Sequence, residues 1–324
     1  MPPSNSDSNV TDSVDYPLLR TKLNVPLPRS NWINRPHLLK KLDKVAEGTL
    51  ILVSAPPGFG KTALLSEWIH QSGFAAAWLS LDTSDNDPAR FLRYVINALQ
   101  TIEKNIGRTA LAELQSPQLP TPDRLLTNLI NDIAALPDQM VLVLDDYHLI
   151  DDQQIHGMVE FILDNLPPQL YLAIATRADP HLSIARLRVQ EQLVEIRATD
   201  LSFNAKETTS FLNDSMTLGL TTQDISRLAI RTEGWIAGLQ LAAISMLGRD
   251  DISEFIDSFT GGDHHIADYL IEEVLAQQPE QIRDFLLKTS ILDHLSAQLC
   301  DVVSGRHDSR QMLTELEKDN LFIL

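Results

Sequence analysis

The stretch Ser54-Ala-Pro-Pro-Gly-Phe-Gly-Lys-Thr62 brings two glycines, a lysine and a hydroxyl into one short segment. That set suits a ligand made of phosphates. Backbone N–H groups converge on phosphate oxygens only where the chain turns tightly, and Gly58 and Gly60 supply that freedom. Lys61 places a point charge on the β- and γ-phosphates, and Thr62 offers a hydroxyl to Mg2+. A helix starting near Lys61 points its positive end at the same anion. The general pattern, G-x-x-x-x-G-K-[ST], is broken at one position, where Ala55 stands in place of the first glycine. Ala55 falls at a strand end, where a methyl is tolerated, and the donors come from later positions. Pro57, Gly58, Phe59, Gly60, Lys61, Thr62 and Ala63 therefore form the candidate nucleotide cradle. The rival reading is a Gly/Pro turn with an incidental lysine. An apolar strand before the loop and an amphipathic helix after it weigh against that rival.

The natural partner of such a loop is a carboxylate at a strand end. The stretch MVLVLDDYHLI carries four apolar residues, Val141 to Leu144, into Asp145. Ligands of open α/β sheets bind along the C-terminal edge of the strands. A carboxylate there holds Mg2+ through its water shell, so Asp145 is the candidate metal residue with Thr62. Asp146 is a candidate to orient or deprotonate a water, with a solvated acid as its rival reading. Arg177 follows YLAIAT at the same sheet edge. It is placed to reach a γ-phosphate and report its presence, against the alternative of an exposed loop arginine. His148 reads as a neighbour of the loop, because no second His or Cys sits at metal-ligand spacing.

These side chains need a scaffold that delivers strand ends to one edge. TLILVS, AAAWLSLD, MVLVLDD, YLAIAT and VEIRA read as strands, the first as a continuous apolar run suited to burial on both faces. Between them, TALLSEWIHQSG, DPARFLRYVINALQTI, RLLTNLINDIAAL, IHGMVEFILDNL and RLRVQEQL read as helices, the first stopped at Gly73. Alternation over Thr49 to Ala198 predicts an α/β fold: a five-stranded parallel sheet sandwiched by helices. Before it, HLLKKLDKVAEG reads as a helix closed by Gly48, preceded by a Pro-punctuated arm. From Thr199 onward no strand pattern remains. NAKETTSFLNDSM, TTQDISRLAIRTEG and WIAGLQLAAISML read as a helical bundle, with Asn204 and Glu207 spaced as a capping box. Trp235, Leu239, Ala242, Ala243 and Met246 fit a buried helix face whose N-terminal end lies near nucleotide. GRDDISEFIDSFTGGDHH reads as a polar junction, and IADYLIEEVLAQQPEQIRDFLLKTSIL and AQLCDVV as further helices. The apolar run in LEKDNLFIL reads as the beginning of an element inside an unfinished domain.

The bulk numbers narrow the partners. The 324 residues suffice for about two domains, and 44% hydrophobic with 22% charged residues is ordinary for a globular chain. With 44 acidic against 26 basic residues, the net charge is −18, which argues against broad contact with nucleic acid or acidic membrane. The one cysteine, Cys300, excludes an internal disulfide and is expected as a small core residue. Residues 1–17 are polar and expected to be a disordered tail. They lack a signal peptide's basic and apolar regions, and no run is long enough to span a membrane, so a cytoplasmic location is expected.

In order along the chain, APPGFGKT, WLSLDTSDNDPARF, VLVLDDYHLI, RLRVQEQLVEIRATDLSF and TEGWIAGLQLAAIS resemble one known group. They are similar to the nucleotide-binding module of signal-transduction ATPases with numerous domains, of the maltose-regulon-activator type. These are the large ATP-binding regulators of the LuxR family. The resemblance runs from about Leu18 to the last residue. It implies a P-loop NTPase domain with its arm over residues 18–198, a helical domain over 199–262 and an incomplete winged-helix domain over 263–324. It also implies ATP/ADP and Mg2+ as ligands: Lys61 and Thr62 on phosphate, Asp145 on magnesium, Asp146 on water and Arg177 as sensor. The family's Gly-x-Pro motif near the adenine matches Gly234-Trp235-Ile236, where Ile236 replaces proline and offers an apolar contact to the base. Arg35 resembles the arm arginine near the nucleotide. The family's winged-helix histidine is expected beyond Leu324, with His264 and His265 as surface residues.

The function this implies is a regulatory switch, a weak ATPase whose output is conformation and self-association. An inducer would act through a sensor outside these residues, and DNA would be met only through a C-terminal domain absent here. A second reading is a phosphoryl-transfer catalyst, either a small-molecule kinase or a motor-type ATPase. The scarcity of arginine after Ala198 disfavours a kinase lid. A third, an interaction module with vestigial nucleotide binding, is disfavoured by the intact Lys61, Thr62 and Asp145.

Overall fold

The computed structural model describes residues 18–28, 32–44, 49–116, 120–249, 251–259, 264–292 and 294–318. The tail expected at 1–17, the stop at Gly48 and the final apolar run lie outside them. Five strands form one parallel sheet: β1 (Leu50–Ser54), β2 (Ala75–Ser80), β3 (Met140–Asp145), β4 (Leu170–Thr176) and β5 (Leu193–Arg197). Their spatial order is β2-β3-β4-β1-β5, with β1 paired to β4 and β5, β3 to β4, and β2 to β3, all in parallel. The continuous apolar runs of β1, β3 and β4 are explained by two cores. Leu50, Leu52, Leu142, Leu144, Leu172 and Ile174 point into one. The alternate residues Ile51, Val53, Val141, Val143, Ala173 and Ala175 point into the other. With both faces covered, period-two alternation disappears from the sequence.

On the first face lie α3 (Pro88–Leu99), α4 (Arg108–Leu114), α5 (Pro122–Ala134) and α6 (Gln153–Asp164). On the second lie α1 (Pro36–Leu42) and α2 (Lys61–Ser72). Local signals start several of these helices. Asp87 accepts from the Arg90 N–H before α3, and Asp152 accepts from Gln154 and Ile155 before α6. The helix expected at Arg186–Leu193 is α7 (Ile184–Val189) instead. The chain reverses at Glu191 in the left-handed region to enter β5.

Beyond β5 the described residues hold helices and turns. The short α8 (Ala198–Leu201) and α9 (Ala205–Thr209) lead to α10 (Thr222–Thr232) and α11 (Ile236–Met246). The capping box at Asn204 and Glu207 is formed reciprocally. After Thr209 the expected helix loosens into a π-helical stretch, Ser210–Ser215. Leu239, Ala242, Ala243 and Met246 are buried as the stripe predicts, while Trp235 is half-buried. The polar junction is corrected in part: it contains α12 (Ile252–Ser258), whose Phe255 and Ile256 enter the same core. The next helical run is broken by a 3-10 turn, Leu275–Gln277, into α13 (His264–Glu273) and α14 (Glu280–Thr289). α15 (Ala297–Ser304) and α16 (Ser309–Lys318) complete a last small core around Phe285, Cys300 and Leu316. His264 and His265 are exposed. No helix among the described residues is long and apolar enough to cross a membrane.

Candidate functional site

The strand order places the ends of β3, β4 and β1 side by side. Asp145, Arg177 and the Ala55–Lys61 loop therefore share one edge. Ala55 explains the missing glycine. It continues the strand, with its N–H donating to the Thr176 carbonyl at 3.3 Å and its methyl fully buried in the second core. It is not among the positive-φ residues, so no glycine is required there. Gly58 and Gly60 are, both at φ 78°.

Lys61 is buried, and its Nζ donates to the carbonyls of Ala55 at 2.8 Å and Pro56 at 3.0 Å. Burial, reinforced by Arg177, lowers its pKa to about 8. Thr62 Oγ1 donates to the Asp145 carboxylate, 3.1 Å from one oxygen and 3.0 Å from the other. Asp145 is buried, and burial followed by repulsion from Asp146 raises its pKa to about 7. The oxygens of Thr62 and Asp145 thus face each other. Asp146 is left-handed at φ 57° and donates its N–H to Asp145 Oδ1 at 3.1 Å. Such a backbone is uncommon for a non-glycine residue and is concentrated at functional sites. Burial pushes the Asp146 carboxyl up as well, opposed by Lys61 and Arg177. His148 stands beside this group. Burial, with Arg177 and Lys61 nearby, holds its pKa down at about 3, and neither ring nitrogen has a hydrogen-bond partner among the described residues.

The loop is held from the other side by α11. Trp235 Nε1 donates to the Pro57 carbonyl at 3.0 Å, and the Ala237 N–H donates to the Gly58 carbonyl at 3.0 Å. A Cβ on Gly58 would sit 2.5 Å from Ala237 Cβ and 3.0 Å from the Tyr269 hydroxyl; one on Gly60 would sit 3.2 Å from Ile236 Cδ1. Ile236 therefore packs on the loop. Phe59 is buried in the second core. Pro57 is buried too, while Thr62 and Ala63 are half-buried on the first turn of α2.

Two sequence-derived candidates are already engaged. Arg35 uses every guanidinium nitrogen: Nε donates to Glu207 at 3.0 Å, Nη1 to the Leu201 carbonyl at 2.7 Å, and Nη2 to the carbonyls of Asp200 and Ser202. It also stacks over Phe203. Among the described contacts it is a strut between α1 and the helices after β5, with no contact to the phosphate loop. Arg177 donates to the Glu273 carbonyl at 2.8 Å and to its carboxylate at 3.2 Å. Glu273 and Tyr269 join the site from outside the sequence motifs. They lie far along the chain on α13, and no local pattern marks them. A groove of about 840 Å³ between the arm, α3 and α4, lined by Arg20, Arg93 and Lys104 among others, shares no residue with this site.

Residues 35–175 match the AAA ATPase domain family, and residues 271–324 match the MalT winged helix domain family. The chain is thus similar to an AAA ATPase domain over one stretch and to a MalT winged helix domain over another. An HTH-type transcriptional regulator MalT from Yersinia enterocolitica is 35% identical over 308 residues, which is 94% of this chain and 34% of that protein. The MalT of Yersinia pestis strain Pestoides F is 36% identical over 309 residues, again 94% and 34%. The chain thus spans about a third of the length of these relatives. Among solved structures, a signal-transduction ATPase with numerous domains and a tetratricopeptide repeat sensor, from Pyrococcus horikoshii, superposes with TM-score 0.53. At 17% identity over 91% of this chain and 40% of that one, it supports the fold alone. The resemblance read from the five sequence motifs is borne out at this level.

Proposed function

We propose that these residues form the nucleotide switch of a larger transcription regulator, in which ATP binding and slow hydrolysis control conformation and self-association. The observation that carries this reading is the convergence of Lys61, Thr62, Asp145, Asp146 and Arg177 on one sheet edge, with Arg177 tied to a helix of a different core. In this reading Gly58 and Gly60 let the loop amides turn toward the phosphates, and Lys61 neutralises the β- and γ-oxygens. Thr62 and Asp145 present the hard oxygen donors that a magnesium ion requires. Magnesium, when bound with the nucleotide, would neutralise charge shared by the β- and γ-phosphates. No group of three or more His, Cys, Asp or Glu suited to a metal occurs among the described residues, so the ion would depend on the nucleotide's own oxygens.

Asp146 would orient the attacking water and accept its proton, and its carboxyl, held above the ordinary range by burial, would be a better base than an ordinary carboxylate. Ile236 and the start of α11 would border the base. Inducer recognition and DNA contact would belong to other parts of the regulator. The test is a pair of measurements on Asp146→Ala. ATP and ADP should bind as in the wild type while phosphate release stops; wild-type turnover would remove the role given to Asp146. For a switch, wild-type turnover should be slower than about 1 per second, the low end of ordinary enzymes.

A further inference from the structure

The C-terminal end of α13 closes over the nucleotide edge. Tyr269 and Glu273 lie four residues apart, hence on one face of the helix. The Tyr269 hydroxyl reaches the space beside Gly58, and its ring lies 5.6 Å from that of Trp235, which holds the loop. Glu273, the last residue of α13, takes Arg177 twice, through its carbonyl and its carboxylate. Its charge also presses on Asp146. A helix C-terminus is the negative end of the backbone dipole, and a carboxylate there adds to it. A third phosphate arriving at Arg177 would meet that combined negative charge and would compete for the same guanidinium.

We propose that Glu273 is a specificity-determining residue that selects a nucleoside diphosphate over a triphosphate while α13 is docked. This rests on the reading of Arg177 as the γ-phosphate ligand. A diphosphate leaves Arg177 to Glu273, and α13 stays in place. A triphosphate gains Arg177 only by displacing Glu273, which pulls on α13. Val274 is buried in the last core and Leu270 packs against both the third and the last cores. Glu273 itself lies in the region matching the winged helix domain, residues 271–324, so its displacement would act on that region directly.

The test titrates ATP and ADP, each with Mg2+, into the whole 324-residue chain. Glu273→Gln keeps the size and the backbone carbonyl but removes the charge. It should tighten ATP relative to ADP by about five- to tenfold, the scale of one charge-assisted contact, with ADP affinity nearly unchanged. Glu273→Ala serves the same purpose if the first variant unfolds at lower temperature. Arg177→Ala should weaken ATP and leave ADP alone. An unchanged ATP-to-ADP ratio in the Glu273 variants, with ATP weakened in Arg177→Ala, overturns the role of Glu273. ATP affinity unmoved in Arg177→Ala overturns the sensor reading on which it rests.

Discussion

At the scale of single residues the site is defined by charges held out of water. His148 gives the plainest consequence. Its pKa in the folded protein is about 3 against an ordinary 6.5, so the folded protein binds fewer protons than the unfolded chain between these values. Its contribution to stability is therefore complete above about pH 6.5 and is lost as pH falls toward 3, at up to about 1.4 kcal/mol per pH unit. Chemical denaturation at a series of pH values should show a shallower acid limb for His148→Gln than for the wild type; parallel limbs would mean that His148 is not buried in its neutral form. Legibility at this scale was uneven. Lys61, Thr62 and Asp145 were readable because fixed chemistry demands fixed types near strand ends. Arg35 was readable only as a type. Its engagement with Glu207 spans 172 positions, which no local pattern reports.

At the scale of elements the phosphate loop is set between α2 and α11. Gly58→Ala brings a Cβ to 2.5 Å from Ala237 Cβ at φ 78°, whereas Gly73→Ala at φ 75° meets nothing within 4 Å. Both should lose about 1–2 kcal/mol to backbone strain. Gly58→Ala should lose more, and only it should weaken nucleotide binding, as thermal unfolding with and without ADP would show. Equal losses would mean that the close approach of α11 has no energetic weight. Trp235→Phe removes the donor to the Pro57 carbonyl while keeping an aromatic ring. It should weaken both nucleotides about three- to tenfold, the worth of one buried hydrogen bond, and unchanged affinity would remove Trp235 as a positioning residue. β1, β3 and β4 were legible because both faces are buried, which leaves unbroken apolar runs. α12 was not, because its inward residues Ile252, Phe255 and Ile256 are spaced among Ser, Glu and Asp in a mostly polar stretch. α4 was passed over for a similar reason: seven residues with Ala110 and Leu114 buried make a weak periodic signal.

At the scale of the whole molecule, one sheet edge sets Lys61 and Arg177 among Asp145 and Asp146, and Arg177 ties that edge to a distant helix. Arg177 and Glu273 are 96 positions apart, so their contact follows from packing and was invisible in sequence spacing. If the edge is a working nucleotide site, both nucleotides bind there through Lys61. Calorimetric titration of ADP and ATP, with Mg2+, into the wild type and Lys61→Ala tests it most directly. Both nucleotides should bind the wild type, and both affinities should fall at least about a hundredfold in a Lys61→Ala protein that remains folded, as expected for loss of a buried charge-assisted contact of about 3 kcal/mol. Unchanged affinities for ADP and ATP in that variant would contradict the account.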